Sequence, residues 1–576
     1  MTLIEEGRDR FTGMLHIRGK GYTIPEHGNG MTANNVVSSL EKAGSVDLIV
    51  SDQRDTDPKL MRSYIRRAPV VAIDDRGAGR RFAHVTVFSL PTIEGHHGNF
   101  TGPGFLILDR GVRMKQPRPH RAMQKSSEVV VSFGGADPHN LTAAVTRSLN
   151  LIGIRPVVVC GPLYRHDVGD CSFMPVDNPP RMADILAASK VLITSFGMTL
   201  FEALYLGVPV ILLNHSRYHD KLAAKVDGVY NLGYHGAVGK RELPRRLGET
   251  LKVIDRSSED KHQSVVDGRG TERMLSIIEK AATAGRRDCL FHHGVYRALE
   301  RNAMHTLMGC RKCRDVFLYE LEGQGDIYEG GDYFLSEYEA QYGRSYVEDR
   351  EHISRMAQTR LDIIERYANS TSIAGNGPLE QDMSLRSKRL LDVGCALGFF
   401  LDVAESRGWQ ATGVEVSEFA ANWAREHLNV TVINSSFADV VLEPESYDVV
   451  TFFFVAEHFK DVEKIIERAY AALKRGGLIV CALPNVRGIS ARVDMKRYVQ
   501  VHPKDHYFDT CPRNIARFLK HHGFHRCRIR VTGIHPERFF KKLGMGERSA
   551  VFSRLYAAVA RVLRLGDTFE YFGRKT

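Results

Sequence analysis

Two stretches of this chain alternate short runs of β-branched residues with amphipathic helical runs, and nothing else in it constrains the fold as tightly. In the first, from Glu128, "EVVVSF" reads as a strand, "PHNLTAAVTRSLNLIG" as a helix and "PVVVCG" as a strand. "RMADILAASK", "VLITSF", "TLFEALYLG" and "VPVILLN" continue the series as helix, strand, helix and strand. The second begins at Arg389, where "RLLDVG" is a strand, "CALG" a turn, "FFLDVAESRG" a helix and "ATGVEVS" the next strand. Repeated strand–helix–strand units of this length predict parallel sheets covered on both faces.

The remainder is organised around these two units. Residues 1–125 carry short strand candidates at Val46–Asp52, Pro69–Asp75 and Gly104–Asp109, with weak helical patterns between them, as in a reduced α/β half. Residues 126–285 hold the first alternation. Residues 286–383 carry spaced cysteines and histidines, a tyrosine-rich block, a helical stretch and the loop "NSTSIAGNGPLEQDMS", which suits a linker. Residues 384–576 hold the second alternation. Four parts agree with the size prior of about three or four domains for 576 residues. Hydrophobic content of 43% with 26% charged residues is that of a globular protein, and no apolar run approaches the ~20 residues of a membrane span. The acidic start, "MTLIEEGRDRF", is unlike a secretion signal, and nine cysteines are too sparse for a disulfide scaffold, so a cytoplasmic setting is expected. The net charge of +11 is spread along the chain. It suits anionic or phosphorylated partners, and without a dense basic–aromatic patch it does not point to nucleic acid.

The loop "LLDVGCALGFF" ends a strand on Asp392 and places Gly394 and Gly398 in the turn to the next helix. Open α/β sheets bind ligands at the carboxyl ends of their strands. An acid about 20 residues past such a loop, here Glu415, can bind the two hydroxyls of a ribose. The spacing is Asp-x-Gly-x-x-x-Gly and not the Gly-x-Gly-x-x-Gly that cradles a pyrophosphate; Asp392 would repel a phosphate and attract a cation. With "SYDVVTFFFVAEHF", "ALKRGGLIVCALPN", "HYFDTCPRNIARFLKHHGF" and "GDTFEYFGRK" following in order, the region from Arg389 resembles a class I S-adenosylmethionine-dependent methyltransferase. The resemblance implies a Rossmann-like seven-stranded sheet whose last strand is antiparallel. It implies that Asp392, Gly394 and Gly398 line the methionine part of the donor, that Glu415 holds the ribose, and that Ser436 and Phe437 neighbour the adenine. A hydroxyl acceptor benefits from a base titrating near neutrality, for which His458 and His506 are the candidates.

"CLFHHGVYRALERNAMHTLMGCRKC" has the spacing of a C-x₂-C…C-x₂-C zinc ribbon, with Cys289, His292, Cys310 and Cys313 as a Cys₃His set and His293 as the alternative to His292. A four-ligand site would be structural. Sugar-directed methyltransferases carry a similar ribbon followed by tyrosines, here "YFLSEYEAQYGRSYVED"; these either cover the donor, stack on an acceptor sugar or simply pack.

In the first alternation, "SFGGADPHNLT" and "ITSFGMTLFEALYLGVPVILL" each place glycine between a strand and a helix start, where backbone N–H groups favour phosphate. Together they resemble the nucleotide-binding half of GT-B-like enzymes, nearest to the UDP-sugar hydrolases of pseudaminic acid synthesis. That implies nucleotide-sugar binding by Gly134, Gly135, Gly197, Thr199 and Glu202; Thr199 and Glu202 also read as a helix capping box. The hydrolase Gly-x-Gly-His motif is degraded here to "EHGNGMTANN", with His27, His96 and His97 as the histidines that could still act. The fold expected is α/β: a GT-B-like pair of Rossmann-type halves, a small zinc-ribbon and helical connector, and a seven-stranded methyltransferase. The function expected is methylation of a sugar or nucleotide-linked sugar in surface glycan synthesis. The rivals are a bifunctional hydrolase or glycosyltransferase with methyltransferase, and a non-catalytic nucleotide-binding scaffold.

Overall fold

The structure is a computed structural model. It describes residues 46–93, 98–115, 128–166, 182–256, 266–284, 288–323, 331, 334, 338–339, 343–369, 388–535 and 554–576, and the backbone of 14–17, 20–23, 174–177 and 550–553. The stretches around His27, His96 and His97, and the expected linker beyond residue 369, lie outside the described residues. The chain divides into two compact units: residues 1–61 with 68–282, and residues 62–67 with 283–576.

The first unit opens with a hairpin of β1 (Met14–Ile17) and β2 (Lys20–Thr23). A four-stranded parallel sheet follows in the order β3 (Ile49–Asp52), β4 (Val70–Ile73), β5 (Val85–Phe88), β6 (Phe100–Thr101). The expected strand Gly104–Asp109 does not form. Pro103–Phe105 is a 3₁₀ turn, and the residues after it alternate inward and outward without a strand partner. Leu106 and Leu108 are buried among the helices of the next sheet, whereas Ile107 is half exposed. The alternation was there to read; what it packs on is a helical face, not a ladder.

The second sheet of this unit contains β7 (Val129–Val131), β8 (Val157–Cys160), β9 (Met174–Asp177), β10 (Val191–Thr194), β11 (Val210–Asn214) and β12 (Val229–Tyr234). All pairs are parallel and the order is 12-11-10-7-8-9. Val129 and Val131 enter the core on one face while Val130 enters the core on the other, which is why these strands read as unbroken apolar runs. The order reverses between β7 and β10, so the loops after those two strands sit at the sheet's switch point.

The second unit begins with an antiparallel sheet of β13 (Tyr296–Arg301), β14 (His305–Cys310) and β15 (Val316–Glu320). The helix Arg350–Asn369 leads to a seven-stranded sheet: β16 (Arg389–Val393), β17 (Gln410–Glu415), β18 (Thr431–Asn434), β19 (Tyr447–Phe453), β20 (Leu473–Pro484), β22 (Phe524–Thr532) and β23 (Thr568–Lys575). Its order is 18-17-16-19-20-23-22, and β23 runs antiparallel to both neighbours. Lys474–Gly477 is part of β20, with a register shift opposite Tyr447–Val449. β21 (Phe508–Asp509) pairs with β15 of the small sheet.

Candidate functional site

The carboxyl ends of β16 and β17 meet around the glycine loop. Gly394 adopts φ +69°, and a Cβ there would lie 2.5 Å from Val455 Cγ2. Gly398 starts the helix Phe399–Ser406. A Cβ on it would press Ala424 and Val430, so close packing already demands glycine at that position. Glu415, at the tip of β17, accepts from the Ala396 N–H inside the loop and from the Ser417 N–H, both at 2.9 Å. The acid therefore braces the loop as well as facing the site. Asp392 is buried and accepts from the Thr451 hydroxyl at 2.5 Å. Burial pushes its carboxyl up to about 7 against the pull of Thr451 and Arg360, and burial likewise raises Glu415. Two desolvated carboxyls beside one loop disfavour their own ionisation; a cation placed there relieves that cost.

The adenine candidates divide. Ser436 is half-buried and its hydroxyl accepts from the Ala438 N–H. The ring of Phe437 turns into the core, edge-on to Phe452 at 5.6 Å, so only its backbone is left to face a ligand. Of the tyrosine block, Tyr346 stacks on Phe399 and Tyr338 stands edge-on to Tyr346, covering the start of the helix that follows the loop.

Past β19, His458 and His506 come together with ring centroids 4.9 Å apart. His458 Nδ1 lies 3.0 Å from Asp505, and His506 Nδ1 lies 3.0 Å from Asp509. Burial, the largest single influence, would lower His506, but Asp509, Glu457 and Asp505 together push the imidazole up to about 9. Asp509 also faces His502 at 3.1 Å and is bonded by the Tyr498 hydroxyl; burial would raise it, but the two histidines hold it well below the carboxylate range. Glu457 groups with both histidines. It is fully buried, its carboxyl is raised by burial, and neither oxygen has a hydrogen bond among the described residues. Sequence reasoning named the two histidines and passed over Glu457 and Asp509. The signals were Glu457 next to His458, and Asp509 three residues after His506.

The cysteine set also converges. Cys289 Sγ lies 3.6 Å and Cys310 Sγ 3.5 Å from His292 Nδ1, and Cys313 Sγ lies 3.7 Å from Cys289 Sγ. Tetrahedral zinc with ordinary bond lengths separates sulfurs by about 3.8 Å and sulfur from nitrogen by about 3.6 Å. The donors thus fit zinc without rearrangement, and all four ligand atoms lie within 4.8 Å of one another. His293 is exposed and turned to Asp288, so His292 is the histidine grouped with the three sulfurs. The Cys313 carbonyl accepts from Arg487 and Asn514, tying the knuckle to the elements around β20 and β21.

In the first unit, Gly134 and Gly135 follow β7 and Gly197 follows β10, at the switch point. A Cβ on any of the three would meet nothing within 4 Å. Gly197 is the N-cap of the helix Met198–Tyr205 and makes no side-chain cap, so the Thr199–Glu202 capping box is not the device that starts this helix. Glu202 is half-buried, and burial followed by the charge of Asp109 raises its carboxyl.

Comparison with known proteins gives one family match that falls in the second unit. Residues 362–526 match the family model described as a methyltransferase domain. A ubiquinone biosynthesis O-methyltransferase of Stutzerimonas stutzeri is 29% identical over 107 residues, 18% of this chain and 46% of that protein. An uncharacterized protein of Methanocaldococcus jannaschii is 33% identical over 129 residues, 20% of this chain and 26% of that protein. The chain thus spans less than half the length of either curated relative. Among solved structures, a SAM dependent methyltransferase from Archaeoglobus fulgidus aligns at 16% identity with a TM-score of 0.30, covering 41% of this chain and 98% of that one. A phosphoethanolamine N-methyltransferase of Haemonchus contortus aligns at 21% identity and 0.26, covering 38% and 52%. Residues 362–526 form a class I S-adenosylmethionine-dependent methyltransferase domain within a larger chain.

Proposed function

We propose that the chain is an S-adenosylmethionine-dependent methyltransferase acting on a sugar or nucleotide-linked sugar in surface glycan synthesis, with a GT-B-like first unit that binds the nucleotide. One observation carries the donor assignment: Glu415 grips the Ala396 N–H, so the ribose-binding acid and the glycine loop are one rigid object at the strand ends. When bound, S-adenosylmethionine supplies an electrophilic methyl group on a sulfonium. Asp392, with its raised carboxyl, and Glu415 provide negative charge on the donor side. The backbone of Gly394 to Gly398 carries the amino-acid tail, and Ser436 with the Phe437 backbone borders the base.

On the acceptor side the two histidines divide the work. His506, held charged at neutral pH by Asp509, is a poor base and a good hydrogen-bond donor. His458 is the base for a hydroxyl: Asp505 holds its Nδ1 as a donor, which leaves Nε2 as the nitrogen with a lone pair. An oxygen acceptor also agrees with the O-methyltransferase name of the ubiquinone-pathway relatives. Cys289, His292, Cys310 and Cys313 would hold a structural zinc, since four protein ligands leave no open position.

Calorimetry of the full chain with S-adenosylmethionine and, separately, with UDP tests the reading. Binding of both supports a two-part enzyme. The donor alone supports a first unit that has lost nucleotide binding, and neither supports a scaffold. For the metal, about one zinc per chain is expected by metal analysis, falling to near zero in Cys310→Ser; a metal-free wild type overturns the assignment.

A further inference from the structure

The carboxyl edge of the six-stranded sheet holds a cluster that the glycine loops do not explain. His139 comes from the loop after β7, His215 from the end of β11 and His235 from the 3₁₀ turn after β12. The His139 ring lies 5.7 Å from that of His215 and 4.6 Å from that of His235. One acid faces them: His215 Nδ1 stands 3.9 Å from Asp137. That acid is already engaged, because its two oxygens accept the Leu141 and Thr142 N–H groups at the start of the helix Leu141–Leu151. His215 Nδ1 and His235 Nε2 are buried and make no hydrogen bond among the described residues. Such a cluster costs folding energy, since each orphaned buried nitrogen is a desolvation penalty with no return. A site that ligand binding completes removes the difficulty.

The surroundings say which ligand. Open glycine backbone lies at the same sheet edge, at Gly134, Gly135 and Gly197. His219, on the helix Arg217–Ala223, feels Arg54 and Arg76 from the carboxyl ends of β3 and β4, and Arg76 bonds the Tyr218 hydroxyl. The groups acting on His215 are Asp137, the Phe133 carbonyl, His139 and His219; those acting on His235 are His139, the His215 backbone and Asp137. Apart from Asp137, the side chains among these are basic.

We propose that His139, His215 and His235 form the diphosphate-binding edge of this nucleotide site, and that His215 and His235 take up protons as a nucleoside diphosphate binds. The inference rests on the nucleotide-sugar reading of the first unit and adds the chemistry of recognition to it. Burial, first, and the neighbouring imidazole keep His215 and His235 below the usual histidine range when the site is empty, so both are neutral near pH 7. A multiply charged anion placed against them favours the imidazolium, and affinity rises as pH falls.

Titration calorimetry of the full chain with UDP at pH 7.5, in buffers of different ionisation enthalpy, should show uptake of about one proton. Affinity should rise about tenfold between pH 8.5 and 6.5. The pair His215→Gln and His235→Gln should abolish the uptake and flatten the profile. An unchanged melting temperature checks that the variant folds, and the single His235→Gln variant, which should reduce the uptake, is the fallback. UDP binding without proton uptake or pH dependence overturns this proposal and leaves the nucleotide reading standing. Failure of UDP to bind at every pH overturns the reading itself. Inorganic phosphate binding as tightly as UDP overturns the diphosphate assignment.

Discussion

Both parallel-stranded sheets carry a glycine loop at a strand end, yet the two loops use glycine for opposite reasons. Beside β16, Gly394 and Gly398 are filled in: an added Cβ meets Val455 in one case and Ala424 and Val430 in the other. Beside β7 and β10, Gly134, Gly135 and Gly197 border open space. The chemistry around the loops differs in the same sense. The first is flanked by two buried acids, Asp392 and Glu415; the second by His139, His215 and His235 with one engaged acid. On the function proposed above, the compact loop sets its flanking carboxyls beside a cation, whereas the bare loop offers its own N–H groups to an anion. A motif of glycines after a strand thus does not identify the ligand; the sign of the charge around it does.

The largest effect expected from this contrast is at Gly394. Gly394→Ala combines a positive φ with a 2.5 Å approach to Val455, so stability should fall by about 2–4 kcal/mol, read as a lower denaturation midpoint of the second unit. An unaffected midpoint would mean that the loop yields freely and that the contrast is false. Next is Glu415→Gln, which keeps the shape but loses a charge and one of the two N–H bonds. Affinity for S-adenosylmethionine should drop on the order of 10- to 100-fold, about 1.4–2.7 kcal/mol, by calorimetry.

A smaller effect separates the sites by pH. Asp392, raised to about 7, stays protonated where an unfolded aspartate is already ionised. Its burial therefore costs stability progressively from about pH 4 to 7 and by a constant amount above. A cationic donor needs the ionised form, so affinity should weaken as pH falls below 7, by at most about tenfold per unit. Asp392→Asn should remove that slope. UDP should show the opposite trend in the same preparation, and two profiles of the same sign would erase the distinction drawn between the loops. Smallest is Gly135→Ala: with nothing within 4 Å of its Cβ, the melting temperature should stay within about 1–2 °C, while UDP affinity falls as the cradle fills.

Much of the architecture was legible in the linear chain because its signals are local. Strand and helix periods repeat over a few residues, the Asp392-to-Glu415 spacing is set by one strand–helix–strand unit, and the two Cys knuckles each span four residues. Tertiary structure decided the rest, where partners come from distant segments. Leu106 and Leu108 alternate like a strand, but only the fold supplies the helical face they bury against. Phe508–Asp509 pairs with β15, a strand far earlier in the chain. No local period announces that Asp509 would gather Tyr498, His502 and His506, or that the buried Glu457 carboxyl would make no hydrogen bond among the described residues. His292 and His293 are equivalent in spacing, and only the loop geometry turns the first toward the sulfurs and the second to Asp288. His139, His215 and His235 stand far apart in the chain and meet because sheet order brings the ends of β7, β11 and β12 to one edge. What a residue is and how its near neighbours repeat is written along the chain; which charges face one another depends on strand order, and that is settled only when the sheets assemble.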